Sequence, residues 1–303
     1  LGRVGIAAGF AVLVFVAALV GIYSRMPGTL AAIWPANALL LGLLIRFPAA
    51  ATPATWVAAA VGYLGADLAT GSNLSAALLL NSANLLGVLV GFYGLGRARA
   101  ANRKLDDLSS IGWLSGLVTI PAAAAALLGA LAQVVLFGDP FGPAWLGWYA
   151  EEVLNFTVVL PLVLTFPGCG TAMPSGPQRR RLLIPALFLL ASAAPSWFMY
   201  GFGTVAFSAP ALITVAMLST VFATTVFLAV ASVWSLVLIV HHGSDVAYAT
   251  AVPIAPSAMI ALAMLGFASL TIAAVTAERR RAYRVLRKEL AHDDLTGAYR
   301  RGE

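Results

Sequence analysis

The sequence predicts an all-α, polytopic membrane helix bundle of about ten transmembrane helices, with N- and C-termini on the cytoplasmic side. Three observations predict it. Hydrophobic residues make up 61% of the 303 residues and charged residues 10%, against roughly 25% charged in ordinary soluble domains. Mean hydropathy is +0.92, more apolar surface than a chain of this length could hide in a water-soluble core. Finally, apolar runs of about the length a membrane helix needs recur along the chain, separated by breakers.

The runs fall at residues 6–23, 29–45, 53–70, 75–96, 111–136, 147–166, 183–200, 204–218, 220–240 and 253–277. The first could be mistaken for a signal peptide. It is followed by further apolar runs rather than by a cleavage site and a polar domain, so it is read as a span. The second contains IWPAN at 33–37, and proline suits the first turn of a helix better than its interior. Two arrangements fit: a Pro-kinked span, or a helix that starts at Pro35 part-way into the membrane. The second would offer unpaired N–H groups at depth and leave the preceding chain buried in protein or lining a cavity. Later spans are bounded by GSN at 71–73, GDPFGP at 138–143, PGCGTAMPSGPQ at 167–178 and HHGSD at 241–245. Residues 207–240 have no charge, and as one helix would be about 51 Å long, beyond a hydrocarbon core of about 30 Å. They are therefore divided near Ser219.

Charge supports the division. With the N-terminus inside, 17 of the 18 Lys and Arg fall on the cytoplasmic side, from Arg3, Arg46 and the 97–104 segment to Arg179–Arg181 and the eight from Arg279 onward; only Arg25 does not. Retention of positive charge in the cytoplasm explains both this asymmetry and the net charge of +6, without nucleic acid as a partner. A single cysteine, Cys169, excludes an internal disulfide or a cysteine-based metal cluster.

Asp67, Glu151 and Glu152 lie inside predicted spans, where ionisable groups are rare and usually functional. The assigned topology places them in the outer half, with Trp34, Asn37, Asn81, Asn84, Trp148 and Asn155. Such a set could bind a cation, an amine or a polyhydroxylated solute, or could bond helix to helix. His241, His242 and Asp245 form an outer loop cluster, either a weak metal site or a solvated loop. No P-loop, HExxH or GxSxG is present, so no metal site and no catalytic residue are assigned. Past the last span, Tyr283, Leu286 and Leu290 recur at helical spacing as a thin apolar seam on a charged helix.

The last residues, 293–301, read DDLTGAYRR. Asp293, Leu295, Thr296, Gly297 and Arg301 resemble the DxLTGxxNR motif that opens GGDEF domains, the diguanylate cyclase family. In the membrane part, IWPAN at 33–37, GADL at 65–68, the stretch from Asn84 to Gly91 with Tyr93, and WYAEEVLNFTVVLP at 148–161 resemble the first family of membrane-associated sensor (MASE-type) domains. These are bacterial inner-membrane modules that precede GGDEF, kinase or phosphodiesterase domains. The resemblance implies a transmembrane sensor over 1–277, a cytoplasmic signalling helix over 278–292, and the beginning of a GGDEF output domain over 293–303. It also implies a homodimer in lipid that answers to a small-molecule or ion ligand and controls synthesis of cyclic di-GMP from GTP with Mg²⁺. The GG[DE]EF loop does not occur in the 303 residues, so the chain alone is expected to catalyse nothing. A transporter and a ligand-independent anchor for dimerisation are the alternative readings.

Overall fold

The computed structural model describes residues 2–24, 33–96, 100–168, 176–199, 202–243 and 254–291. It is all-α. Among the described residues there are ten α-helices: α1 (Arg3–Tyr23), α2 (Pro35–Arg46), α3 (Pro53–Ala69), α4 (Leu74–Val90), α5 (Leu108–Phe137), α6 (Phe141–Thr165), α7 (Gly176–Phe198), α8 (Ala209–Leu218), α9 (Val221–Gly243) and α10 (Ile254–Ala291). Local chemistry sets many of the ends. Thr52 accepts from the Thr55 N–H to cap α3, and Asn73 accepts from Ala76 N at 2.8 Å to cap α4. Asp107 and Ser110 form a capping box at the start of α5, which ends on Gly138 in the left-handed conformation at φ 75°.

The break expected near Ser219 is present: α8 stops at Leu218, and α9 begins at Val221. The helix start at Pro35 is present too, which decides between the two arrangements of the second run. α2 has only 12 residues, about 18 Å of helix. Among the described residues six helices, α1, α4 with its continuation to Gly96, α5, α7, α9 and α10, carry stretches long and apolar enough to cross a membrane. Large apolar side chains cover the outside, among them Val135, Leu187 and Leu190. That is the surface of a membrane protein.

α2 and α6 form the centre. Eight of the 12 residues of α2 are buried, and every residue of α6 from Ala150 to Val158 is buried, so this part of α6 has no lipid face. α2, α5, α9 and α10 pack around α6, while α1 and α3 pair with each other, α1 also against α2 and α3 against α4. α7 is peripheral, with only 11% of its apolar stretch buried.

Three arginines make contacts at the helix ends. The Arg46 guanidinium donates to the carbonyls of Val163 and Leu164 at 2.7 and 3.4 Å. Arg280 donates to Ser219 O and Met217 O, both at 2.7 Å, closing the C-terminal end of α8. Arg281 pairs with Asp106, just before α5. The hydrogen bond to Asp106 holds the Arg281 guanidinium above its ordinary range. The 293–301 motif, Arg25, Arg97, Arg99, Cys169 and Asp245 lie outside the described residues, as do the side chains of Arg179, His241, His242 and Leu290.

Candidate functional site: a buried polar network at the start of α2

α2 begins on Pro35 without an ordinary cap. Trp34 occupies the N-cap and no side chain caps the helix. Instead the Trp34 backbone N–H donates to Asn155 Oδ1 on α6 at 2.9 Å. Asn155 in turn donates through Nδ2 to the Glu151 carbonyl, one turn back, at 2.8 Å. The break in the second apolar run is thus held by an amide from the central helix.

Asn37, in the first turn of α2, is the hub. Its Nδ2 donates to Asn84 Oδ1 on α4 at 2.9 Å and to Glu152 Oε1 on α6, and its Oδ1 accepts from the Tyr63 hydroxyl on α3 at 2.5 Å. Asn84 donates to Asn81 Oδ1 at 3.0 Å, and Asn81 donates to Asp67 Oδ2 at 2.6 Å. One chain of hydrogen bonds therefore runs Asp67–Asn81–Asn84–Asn37–Glu152 and joins α3, α4, α2 and α6. Asn37 and Tyr63 are fully buried, and Asp67, Asn81, Asn84, Glu151, Glu152 and Asn155 are nearly so.

No Lys or Arg forms an ion pair with Asp67 or Glu152 among the described residues. Glu152 Oε2 is buried and has no hydrogen-bond partner among them either. In an apolar interior an acceptor left that way is costly. The complement of Glu152 Oε2 is a donor, and above all a donor carrying positive charge.

Two tryptophans flank the network, each seated on a glycine. A Cβ at Gly21 of α1 would lie 2.1 Å from Trp34 Cε3, and one at Gly129 of α5 would lie 2.4 Å from Trp148 Cδ2. Trp148 sits one turn before Glu152 but joins no hydrogen-bond chain. It packs with Ala83 and Ala126, and its buried Nε1 has no partner among the described residues.

The sequence-selected residues Asn37, Asp67, Asn81, Asn84 and Glu152 are thus brought together, and Trp34 is joined to Asn155. Glu151 contributes its carbonyl to Asn155, while Trp148 stands apart as a packing group. Tyr63 was missed. Its signal was the spacing to Asp67: four residues along α3 puts both on one face. Tyr283 and Leu286 of the predicted seam are 71% and 52% exposed among the described residues.

Over 287 residues, 93% of this chain and 60% of the relative, the sequence is 23% identical to a probable diguanylate cyclase, DgcF, of Escherichia coli O157:H7. The chain is a distant relative of a diguanylate cyclase. It spans about 60% of that relative's length. Coverage that wide cannot be confined to the last dozen residues and must take in the helical bundle. No protein-family profile matches the sequence, and no solved structure matches it.

Proposed function

We propose that these residues form the membrane-embedded regulatory module of a protein that makes cyclic di-GMP. In this reading it is a multi-pass, homodimeric sensor of the bacterial inner membrane, of the MASE type. A periplasmic or membrane ligand, bound among Asn37, Glu152, Asp67 and their neighbours, controls a C-terminal diguanylate cyclase. The observation that carries the reading is similarity to a probable diguanylate cyclase across the bundle itself. The DDLTG run at 293–297, directly after α10, supports it. GTP and Mg²⁺ belong to the output domain, so no residue described above is assigned a catalytic step.

The polar groups suit a ligand that supplies a donor to Glu152. Such a ligand would draw α2, α4 and α6 together, and α10 packs directly on α6. The response is then a shift between two arrangements of α10, limited by the ligand's differential affinity for them.

The gene read past the codon for Glu303 should encode GG[DE]EF, and the purified full-length protein should convert GTP to cyclic di-GMP with Mg²⁺. A continuation without that loop would defeat the cyclase reading. For the ligand site, thermal unfolding of the purified chain is followed with sodium, spermidine and neutral sugars. Stabilisation by a cationic probe that Glu152→Gln abolishes is the expected result. Equal midpoints for both proteins with every probe would leave the network as glue between helices and the module as an anchor.

One observation favours a transporter as the second reading. The two short apolar helices, Pro35–Arg46 and Gly203–Leu218, each have a proline near a helix start, Pro35 for α2 and Pro210 for α8, as broken helices at transport sites do. Solute flux in liposomes containing the purified chain separates the two.

A further inference from the structure

A second polar feature lies at the end of the bundle that carries Arg46, away from the network. A cavity of about 290 Å³ opens between the turn after α2 and the end of α4, lined by Pro48, Ala51, Phe92, Tyr93, Gly96 and Arg103. Its wall is not regular α-helix. After Val90 the chain continues from Gly91 to Gly96 as π-helix, a widened turn found frequently at functional sites. Phe92 and Tyr93 meet edge to face at 5.1 Å, and Trp56 stacks on Tyr93 at 6.1 Å. Trp113 of α5 donates to the Leu95 carbonyl at 2.9 Å and holds this turn from behind.

Arg103 is the basic group in the lining. Its Nε is buried and has no hydrogen-bond partner among the described residues. The contrast with Arg46 is informative, because Arg46 spends its guanidinium on α6 carbonyls. A buried guanidinium N–H without an acceptor is costly, and the acceptor that fits a guanidinium fork best is a carboxylate or phosphate. The aromatic and proline walls suit a small apolar group beside that anion. Basic pockets between helices at the cytoplasmic end of a membrane bundle hold anionic lipid headgroups. The volume is at the small end for a ligand site, enough for a glycerol phosphate and too little for a dinucleotide.

We propose that this cavity binds a glycerol-phosphate group, that of an anionic phospholipid headgroup, with Arg103 holding the phosphate. The site stands apart from the Asn37 network and does not depend on that network binding anything.

The test is lipid retention by the purified chain in detergent, measured by native mass spectrometry with phosphatidylglycerol and diacylglycerol as probes. Phosphatidylglycerol should be retained about tenfold over diacylglycerol, which lacks the phosphate, the worth of one charge-assisted hydrogen bond. Arg103→Gln should remove the preference. Ala51→Phe, which fills the cavity and leaves Arg103 in place, should remove it too. Arg103→Lys, which keeps charge but loses the fork, replaces the glutamine variant if that one does not fold. Binding of free glycerol 3-phosphate without phosphatidylglycerol would keep the site and assign it to a soluble phosphate ester. Equal retention by the wild type and the variants would overturn the proposal, as would loss in the Arg103 variants with Ala51→Phe unaffected.

Discussion

Asn37 uses both N–H groups and the carbonyl of its amide. Both N–H bonds are given, to Asn84 and Glu152, and the carbonyl accepts from Tyr63. Replacing it with leucine would strand three buried polar groups on three other helices. Asn37→Leu is therefore expected to lower stability by roughly 1–3 kcal/mol, nearer the bottom of that range if the unfolded chain in lipid finds other partners. Denaturation of the purified chain in mixed micelles measures it, and an unchanged midpoint would mean that the hub contributes nothing net. Gly129 tests packing in place of hydrogen bonding. A Cβ there lies 2.4 Å from the Trp148 ring, so Gly129→Ala should cost about 1–3 kcal/mol by overpacking. Adding Trp148→Leu should recover much of it, because the two sites are in contact and couple. At this scale the sequence was a good guide to chemistry and a poor guide to company. Polar type and depth singled out Asn37, Asp67, Asn84 and Glu152. The same argument singled out Trp148, which packs instead, because the direction a side chain takes from its helix is not written in its identity.

Among the elements, α10 is the link from bundle to output in the function proposed above. Its apolar part packs on α5, α6, α8 and α9, and its charged extension is tied back at two points, Arg280 on the end of α8 and Arg281 on Asp106. The Arg281 pair is exposed, and exposed pairs contribute little to stability. Its worth is in position. Asp106 is held for it by a buried Leu105 in the left-handed region at φ 52° and by the capping box that follows. Asp106→Asn should leave the unfolding midpoint where it is and change cyclic di-GMP output of the full-length protein, as should high salt. Output that ignores both the substitution and the salt would take the contact out of signalling. The seam farther along the helix makes a different prediction. Leu286→Asp with Leu290→Asp should abolish crosslinking between copies and reduce output while the protein still inserts; unchanged crosslinking would remove this helix from the dimer. The length of α10, Ile254–Ala291, was legible in sequence as an apolar span over 253–277 continued by a charged helix over 278–292.

For the whole molecule, the positive charge makes a topological prediction. Reporter fusions should place residues 140 and 243 outside and residues 101, 175 and 290 inside. An inside signal at 243 would mean that the division at Ser219 does not reverse the chain across the membrane, and the count of spans would fall. The packing is compatible with the alternation: α2 and α6, both assigned to run inward, lie side by side with Trp34 near Asn155 and Arg46 near Val163. What the sequence determined by itself was the solvent, the helical class, the approximate bounds of most of the helices, and the break near Ser219, while at Pro35 it left a kink and a helix start both open. Those follow from the one-dimensional pattern of apolar residues, proline and charge, because lipid forces every backbone group into a helix and water reclaims every Lys and Arg it can. Only the tertiary structure decided that five polar residues from four helices form a single chain ending on Glu152, that Tyr63 belongs to it, and that Arg103 meets a cavity. The rotation of each helix about its axis and the depth at which it crosses its neighbours choose those partners, and both are set by packing between segments far apart in sequence.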